Sequence, residues 1–129
     1  MKKQNDQYPQ GKSPTTRMMA MPADANATGD IFGGWILSQI DVAGAIVGFK
    51  RARGRIVTVA LNSVKFHRPV FVGDVVSCFA EIEHVGNSSI TIKVEVFAER
   101  PDECAKVTEA SIVYVAVDDN RKPRPVPAE

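Results

Sequence analysis

An isolated carboxylate, Asp41, lies in the most apolar stretch of the sequence. This stretch, TGDIFGGWILSQIDVAGAIVGF at residues 28–49, has no lysine or arginine three or four positions from Asp41 on either side. Its i+3 and i+4 neighbours are Gly44 and Ala45, and a glycine inside a helix costs about 1 kcal/mol relative to alanine. Sequences tolerate that cost where a ligand or another backbone approaches the helix closely. Asp41 is therefore a candidate general base or nucleophile.

A second interpretation gives Asp41 no chemical role. On a helical wheel, Ser38 and Asp41 are ~60° apart and Gln39 is ~100° from Ser38. The three polar side chains can therefore share one stripe that faces solvent. The residue pattern alone leaves both interpretations open.

Two glycines, Gly33 and Gly34, follow GDIF at the start of the same predicted helix. The first turn of a helix has free N–H groups and a partial positive charge, which favour a developing anion. Glycines allow a substrate carbonyl to approach these N–H groups, as an oxyanion hole requires. The alternative is an ordinary glycine-rich helix start that is capped by Asp30 or Thr28. The spacing does not match the G-x-G-x-x-G pattern of dinucleotide-binding folds.

The other reactive or charged residues give weaker signals. His67, His84 and the two cysteines have no metal-ligand spacing, so we predict no metal site. Basic clusters at residues 50–55 and 121–124 either contact phosphate or are solvated, and the first also suits the negative end of the helix dipole.

The periodicity of the chain predicts one helix followed by four long strands, which belongs to the α+β class. The helix covers about residues 33–51. One helix covers a sheet of about five strands only if the antiparallel sheet curves around it. An edge or the other face of the sheet is then left for another subunit. The predicted strand segments are TTRMMAMP, RIVTVALNSVKF, GDVVSCFAEIEHV, SITIKVEVFAE and VTEASIVYVAV.

Length and composition indicate one globular domain. The 129 residues suffice for one core and are too few for two domains. We predict a disordered N-terminal arm at residues 1–13 and a single domain with a Pro-rich tail at residues 14–129. The net charge of +1 gives no reason to expect nucleic acid. No apolar run reaches the ~18 residues of a membrane span, and the start has no signal-peptide core. We therefore expect a cytoplasmic protein without a membrane partner, and its two cysteines, Cys78 and Cys104, suit a reducing compartment.

Nearly the whole predicted domain resembles one family. The segments MPADANATGDIFGGWILSQIDVAGAI, GRIVTVALNSVKFHRPVFVGDVV, VGNSSITIKVEV, VTEASIVYVAVD and RKPRPVP are similar to bacterial acyl-CoA thioesterases of the hotdog fold, the YciA type. Animal brain-type acyl-CoA hydrolases are tandem relatives. The resemblance implies one long helix wrapped by a curved antiparallel sheet. It also implies dimers with a continuous sheet, commonly assembled as a hexamer of three dimers, with active sites at the dimer interface.

The resemblance also implies roles for particular residues. The catalytic carboxylate corresponds to Asp41, and its partner, Asn26 of another subunit, would hold the water or orient the carboxylate. The oxyanion donor corresponds to the glycine pair, with Gly34 favoured over Gly33. Many relatives have histidine before the glycines, whereas this chain has Phe32, so no histidine role is carried over. Candidate contacts to coenzyme A, which is part of the substrate and not a separate cofactor, are Arg55, Thr58, Arg68, Asn87, Ser88 and Ser89.

Two functions from different classes are compatible with this resemblance. The first is hydrolysis of acyl-CoA thioesters. The second is a non-catalytic acyl-CoA-binding sensor or regulatory module, because a fold does not by itself determine a function. A sensor would carry a reader domain and could lose the acid, whereas this sequence keeps Asp41, so we favour the enzyme. Chain-length preference and the choice between a general-base and an anhydride mechanism stay open.

Overall fold

The computed structural model, which describes residues 4–129, contains one long helix and five strands. All strand pairs are antiparallel, and the strands lie in the order β1-β3-β4-β5-β2. This confirms the predicted α+β architecture. The elements are β1 (Thr16–Met19), a 3-10 helix (Pro22–Asp24), α1 (Gly33–Ala52), β2 (Ile56–Phe66), β3 (Val75–Val85), β4 (Ser89–Arg100) and β5 (Glu103–Ala116).

Helix α1 has 20 residues and packs one side against the sheet. It ends where Arg53 adopts a left-handed conformation with φ of 53°, a common way for a helix to stop. Arg124 of the C-terminal tail donates from Nη2 to the carbonyl of Ala52 at 2.9 Å, so a positive charge lies at the negative end of the helix dipole. Among residues 4–129, no helix combines the length and hydropathy that crossing a bilayer would require.

The hydrophobic core lies between α1 and one face of the sheet. In β4 the alternating residues Ile90, Ile92, Val94 and Val96 are fully buried, as the period of two requires for a face that packs on a helix. The opposite face is polar around Lys106, whose Nζ lies 2.8 Å from Glu95 and 2.7 Å from Glu109. The main core therefore lies on the helix side, and the opposite face combines these charged residues with the buried rings of Phe79 and Phe97.

Residues 4–13, part of the predicted arm at residues 1–13, contact the sheet at several points. The ring of Tyr8 packs edge-on against Phe79 and Phe97, with centroids 4.9 and 5.3 Å away. The N–H of Asp6 donates to the carbonyl of Cys104 at 2.8 Å. These aromatic contacts and backbone bonds join the segment to β3, β4 and β5. The first three residues of the predicted arm lie outside the described residues.

We expect Asp74→Ala to destabilise the fold by about 3 kcal/mol, because it would leave Arg100 without its main partner. Asp74 is only 3% exposed and accepts two hydrogen bonds from Arg100, at 3.0 and 2.7 Å. It also accepts the N–H of Phe71 at 2.9 Å. Denaturant unfolding would measure the loss. Arg17→Ala, which breaks an exposed pair with Glu99, is the matched control, and equal losses in the two variants would contradict the prediction.

Candidate active site

Within the described residues 4–129, Asp41 is held by two hydroxyl groups and not by a cation. The hydroxyl of Thr58 donates to Oδ1 of Asp41 at 3.0 Å. The hydroxyl of Tyr114 lies 2.9 Å from the same Oδ1 and 2.7 Å from the backbone carbonyl of Asp41. Asp41 is half-buried, so solvent or a ligand can still reach its carboxylate. We call Asp41, Thr58 and Tyr114 the acid cluster.

Tyr114 is the member of the acid cluster that sequence reasoning missed. It lies in the apolar segment SIVYVA of β5 and is only 1% exposed. A buried tyrosine hydroxyl needs a hydrogen-bond partner, and that requirement was the available signal. Thr58, which is predicted to contact coenzyme A, donates its hydroxyl to Asp41 in this structure.

The mid-helix glycine Gly44 accommodates a side chain and not a ligand. A Cβ atom added at Gly44 would lie 2.5 Å from the hydroxyl oxygen of Tyr114 and 3.0 Å from Cγ2 of Ile112. Gly44 is buried. The close approach predicted from this glycine is therefore that of Tyr114 to the helix beside Asp41.

The glycine pair forms the first turn of α1, as predicted. The first acceptor of the helix is the carbonyl of Phe32, which bonds to the N–H groups of Trp35 and Ile36 at 3.1 and 3.3 Å. Within residues 4–129, the N–H groups of Gly33 and Gly34 make no hydrogen bond. A Cβ at Gly33 would contact Phe66 at 3.4 Å, whereas at Gly34 it would meet open space. This openness agrees with the preference for Gly34 as an oxyanion donor.

Neither predicted cap residue caps the helix, because α1 begins at Gly33 and both residues lie before its N-cap position. Oδ1 of Asn26 accepts the N–H of Thr28 at 2.9 Å, its hydroxyl at 2.8 Å and the N–H of Asp30 at 3.1 Å. The N-cap of α1 is Phe32, without a side-chain bond. In the described part of the chain the side-chain NH₂ of Asn26 has no partner, so it is free to donate to a ligand.

Asn26 and Gly33 line one surface cleft of about 410 Å³ together with Phe66, His67 and Arg68. We call this set the loop cluster, and Gly34 lies beside it on the same first helical turn. His67 lies 3.7 Å from Glu109, and Arg68 donates to the carbonyl of Lys106 at 3.0 Å. The cleft therefore combines an amide donor, a helix N-terminus and a cation.

The acid cluster and the loop cluster are too far apart within one protomer to act on one carbonyl group. Gly34 and Asp41 lie on the same side of α1, but seven residues correspond to about 10.5 Å of helix axis. A reacting carbonyl needs its nucleophile and its oxyanion donors each about 3 Å away. One copy of the chain therefore does not bring these groups together.

The candidate contacts to coenzyme A also fall into two groups. Arg55 and Ser88 flank the end of β5, since their carbonyls accept the N–H groups of Val117 and Ala116 at 3.0 and 2.8 Å. Asn87 and Ser89 belong to the same turn as Ser88. Arg68 lies at the other end of β5, roughly ten residues or about 33 Å of strand away. Arg55 and the turn are thus on the side of the acid cluster, and Arg68 belongs to the loop cluster.

The cysteines lack the features of nucleophiles. Burial raises the pKa of Cys78 to about 11, which a hydrogen bond with Thr16 offsets only in part. Burial, and then the charges of Glu99 and Asp6, raise the pKa of Cys104. Both thiols therefore stay protonated near neutral pH. No group of three or more His, Cys, Asp and Glu residues in the described chain is placed to hold a metal ion.

The chain matches known thioesterases over most of its length. Residues 28–105 match the Thioesterase superfamily model. The chain is 48% identical over 129 residues to the acyl-CoA thioester hydrolase YciA of Salmonella typhimurium, covering 96% of both chains. It is 45% identical to a hexameric hotdog fold thioesterase of Campylobacter jejuni, with a TM-score of 0.86, covering 90% of this chain and 91% of that one.

A more distant solved relative has been substituted at two informative residues. The acyl-CoA hydrolase of Staphylococcus aureus, solved with butyryl coenzyme A, is 29% identical with a TM-score of 0.81, covering 88% of this chain and 70% of that one. Its solved variants include an aspartate-to-alanine and a threonine-to-alanine change at positions 17 apart, the separation between Asp41 and Thr58. By sequence and by fold, this chain belongs to the thioesterase superfamily, among the hotdog-fold acyl-CoA thioester hydrolases of the YciA type.

Proposed function

We propose that this chain hydrolyses acyl-CoA thioesters to coenzyme A and a carboxylic acid, with Asp41 as the general base or nucleophile. The observation that carries the proposal is a reachable carboxylate, fixed by two hydroxyls inside an apolar helix. Because the chain belongs to the acyl-CoA thioester hydrolases, we infer that the substrate of this carboxylate is an acyl-CoA thioester. The separation between Asp41 and Thr58, shared with the substituted pair of the S. aureus hydrolase, supports the assignment of both residues.

The proposed site is composite and needs two copies of the chain. Asn26 and Gly34 of one copy face Asp41 of the other. The groups that meet then belong to different copies, so the separation of about 10.5 Å along α1 of one protomer no longer keeps them apart. β2 carries Thr58 and lies at the edge of the sheet, where a second copy can extend it. The homo-oligomer is a dimer unit assembled as a trimer of dimers, in line with hexameric relatives such as that of C. jejuni.

An apolar stripe on α1 supports a covering subunit. Val42, Ile46 and Phe49 are 50–57% exposed and recur at i, i+4 and i+7. Such spacing places them on one side of the helix. A contiguous apolar stripe on a surface is typical of an interface with another chain.

In the general-base route, Asp41 takes a proton from water as the water oxygen attacks the thioester carbon. The N–H of Gly34 from a second copy stabilises the oxyanion, and the NH₂ of Asn26 holds the water or orients the carboxylate. The carbon–sulfur bond then breaks, and the thiolate of coenzyme A receives the proton. In the anhydride route, Asp41 attacks the thioester carbon directly, the carbon–sulfur bond breaks, and the thiolate of coenzyme A leaves and takes up a proton. Water then hydrolyses the mixed anhydride, which releases the carboxylic acid and regenerates Asp41.

Phosphate binding is proposed for exposed or half-buried cationic and hydrogen-bonding groups. Arg55 with Asn87, Ser88 and Ser89 forms one set, and Arg68 the other. Thr58 remains a proposed ligand contact and is also proposed to support the reactive carboxylate. We propose that the reaction takes place in the cytoplasm.

Thiol release from acyl-CoA substrates of increasing chain length tests the proposed function. We expect catalytic turnover with at least part of the series, and the profile would show the preferred acyl length. A binding measurement on the same panel is the control. Tight binding without release of thiol from any member would contradict hydrolysis and favour the sensor alternative.

A further inference from the structure

We propose that Tyr114 is a positioning residue that, together with Thr58, holds Oδ1 of Asp41 so that Oδ2 is the oxygen facing the substrate. This inference rests on the proposed hydrolysis and assigns roles to the two oxygens of its carboxylate. It concerns a side chain that does not itself touch the thioester.

The two supporting hydroxyls come from one rigid pair of strands. Thr58 and Tyr114 are direct partners in the antiparallel ladder between β2 and β5, so their side chains lie on the same face. Both hydroxyls reach Oδ1 of Asp41, at 3.0 and 2.9 Å. The sheet therefore fixes the direction from which this oxygen is held.

Tyr114 also ties the carboxylate to the helix backbone. Its hydroxyl oxygen lies 2.7 Å from the carbonyl oxygen of Asp41 and 2.9 Å from Oδ1. One hydroxyl hydrogen is thus placed between the side chain and the main chain of the same residue. This arrangement restricts rotation of the carboxylate about its side-chain bonds.

The two oxygens of Asp41 consequently differ. Oδ1 has two hydroxyl donors, whereas Oδ2 has no hydrogen-bond partner among residues 4–129. The unoccupied oxygen is the one that can accept a proton from water or attack a carbonyl carbon. Preorganising a reactive group by packed supporting residues raises the rate of a positioned reaction.

The protonation state of Tyr114 suits this role. Burial, then the hydrogen bond and charge of Asp41, raise the pKa of Tyr114 well above that of an exposed tyrosine. Its hydroxyl therefore remains protonated near neutral pH and can donate to Asp41. The bond is charge-assisted and is stronger than one between neutral groups.

Gly44 leaves room for the phenol of Tyr114 because it has no side chain. A Cβ at this position would lie 2.5 Å from the hydroxyl oxygen of Tyr114 and 3.1 Å from its Cε2. Glycine in the middle of a helix is unfavourable relative to alanine. Glycine is found here despite this loss of helix stability, because the phenol of Tyr114 lies close to the helix backbone.

Tyr114→Phe tests the inference, because it keeps the ring and removes only the hydroxyl. We expect kcat to fall about 10- to 100-fold while KM stays within about twofold, since the carboxylate loses orientation and not contact with substrate. Tyr8→Phe, at the outer face of the sheet, is the matched control and keeps wild-type kcat. A folded Tyr114→Phe variant with wild-type kcat in an active wild-type background would overturn the inference and leave the proposed hydrolysis standing.

Proton NMR gives a readout that does not depend on activity. A buried, hydrogen-bonded hydroxyl proton of Tyr114 is expected as a resonance that is missing in Tyr114→Phe. It should move upfield in Asp41→Asn, where the acceptor is no longer an anion. An unchanged resonance in Asp41→Asn would overturn the inference. Absence of thiol release from wild-type protein would instead count against the proposed function.

Discussion

Asp41→Asn is expected to lower kcat for acyl-CoA hydrolysis by at least about 100-fold, the scale of a positioned acid or base. Asparagine has nearly the same shape, and its side-chain oxygen can still accept from Thr58 and Tyr114. It cannot take a proton from water or form an anhydride. Thiol release measures kcat, and circular dichroism verifies that the variant is folded.

Asp119→Asn is the matched control for this experiment. Asp119 is an exposed carboxylate in the C-terminal tail and does not belong to the acid cluster, so the same loss of charge there should leave kcat unchanged. If Asp41→Asn keeps more than about a tenth of wild-type kcat, the carboxylate is not the general base or nucleophile. The reacting group would then have to be sought outside the acid cluster.

Much of the fold is predictable because its periodic signals are strong. The helix was expected at about residues 33–51 and is observed at Gly33–Ala52. A long apolar run that follows two glycines is typical of a helix that other elements cover. The long alternating strands were equally clear. The contacts of residues 4–13 with the sheet were not predictable from their polar composition, because they depend on Tyr8 reaching a pair of aromatic rings on the distant sheet surface.

The candidate site was predictable only in part, because part of it depends on the register in which strands β2 and β5 pair. Asp41 and the glycine pair stand out locally, because a lone acid and paired glycines are unusual in an apolar helix. The support of Asp41 depends on Thr58 lying directly opposite Tyr114 in the β2–β5 ladder. That pairing joins residues far apart in the chain, and a register shift by one residue would have turned either hydroxyl away.

Mixed oligomers are expected to regain activity that each of two inactive variants lacks. Asp41→Asn removes the reactive carboxylate. Asn26→Asp keeps Oδ1 to accept from Thr28 and Asp30 but replaces the donating NH₂ and adds a charge that opposes Asp41 of the other copy, so we expect a loss of about 100-fold. If the site is composite, each mixed dimer contains one site with both native residues.

The expected recovery follows from the symmetry of the dimer. When equal amounts of the two variants assemble at random, about one quarter of all sites are native. A chain with both changes, mixed equally with wild type, is the reciprocal control. In a composite site that mixture retains about one quarter of wild-type activity, and in a site contained in one protomer it retains about one half. Differently tagged copies verify that mixing has occurred.

The activity of the Asp41→Asn and Asn26→Asp mixture is the measurement that tests the account most directly. Recovery to about one quarter of the wild-type rate would show that two copies build one hydrolytic site, as the separation along α1 requires. A verified mixture that remains as inactive as its components would contradict the composite site. The acid and loop clusters of one protomer would then have to meet by a rearrangement within a single chain.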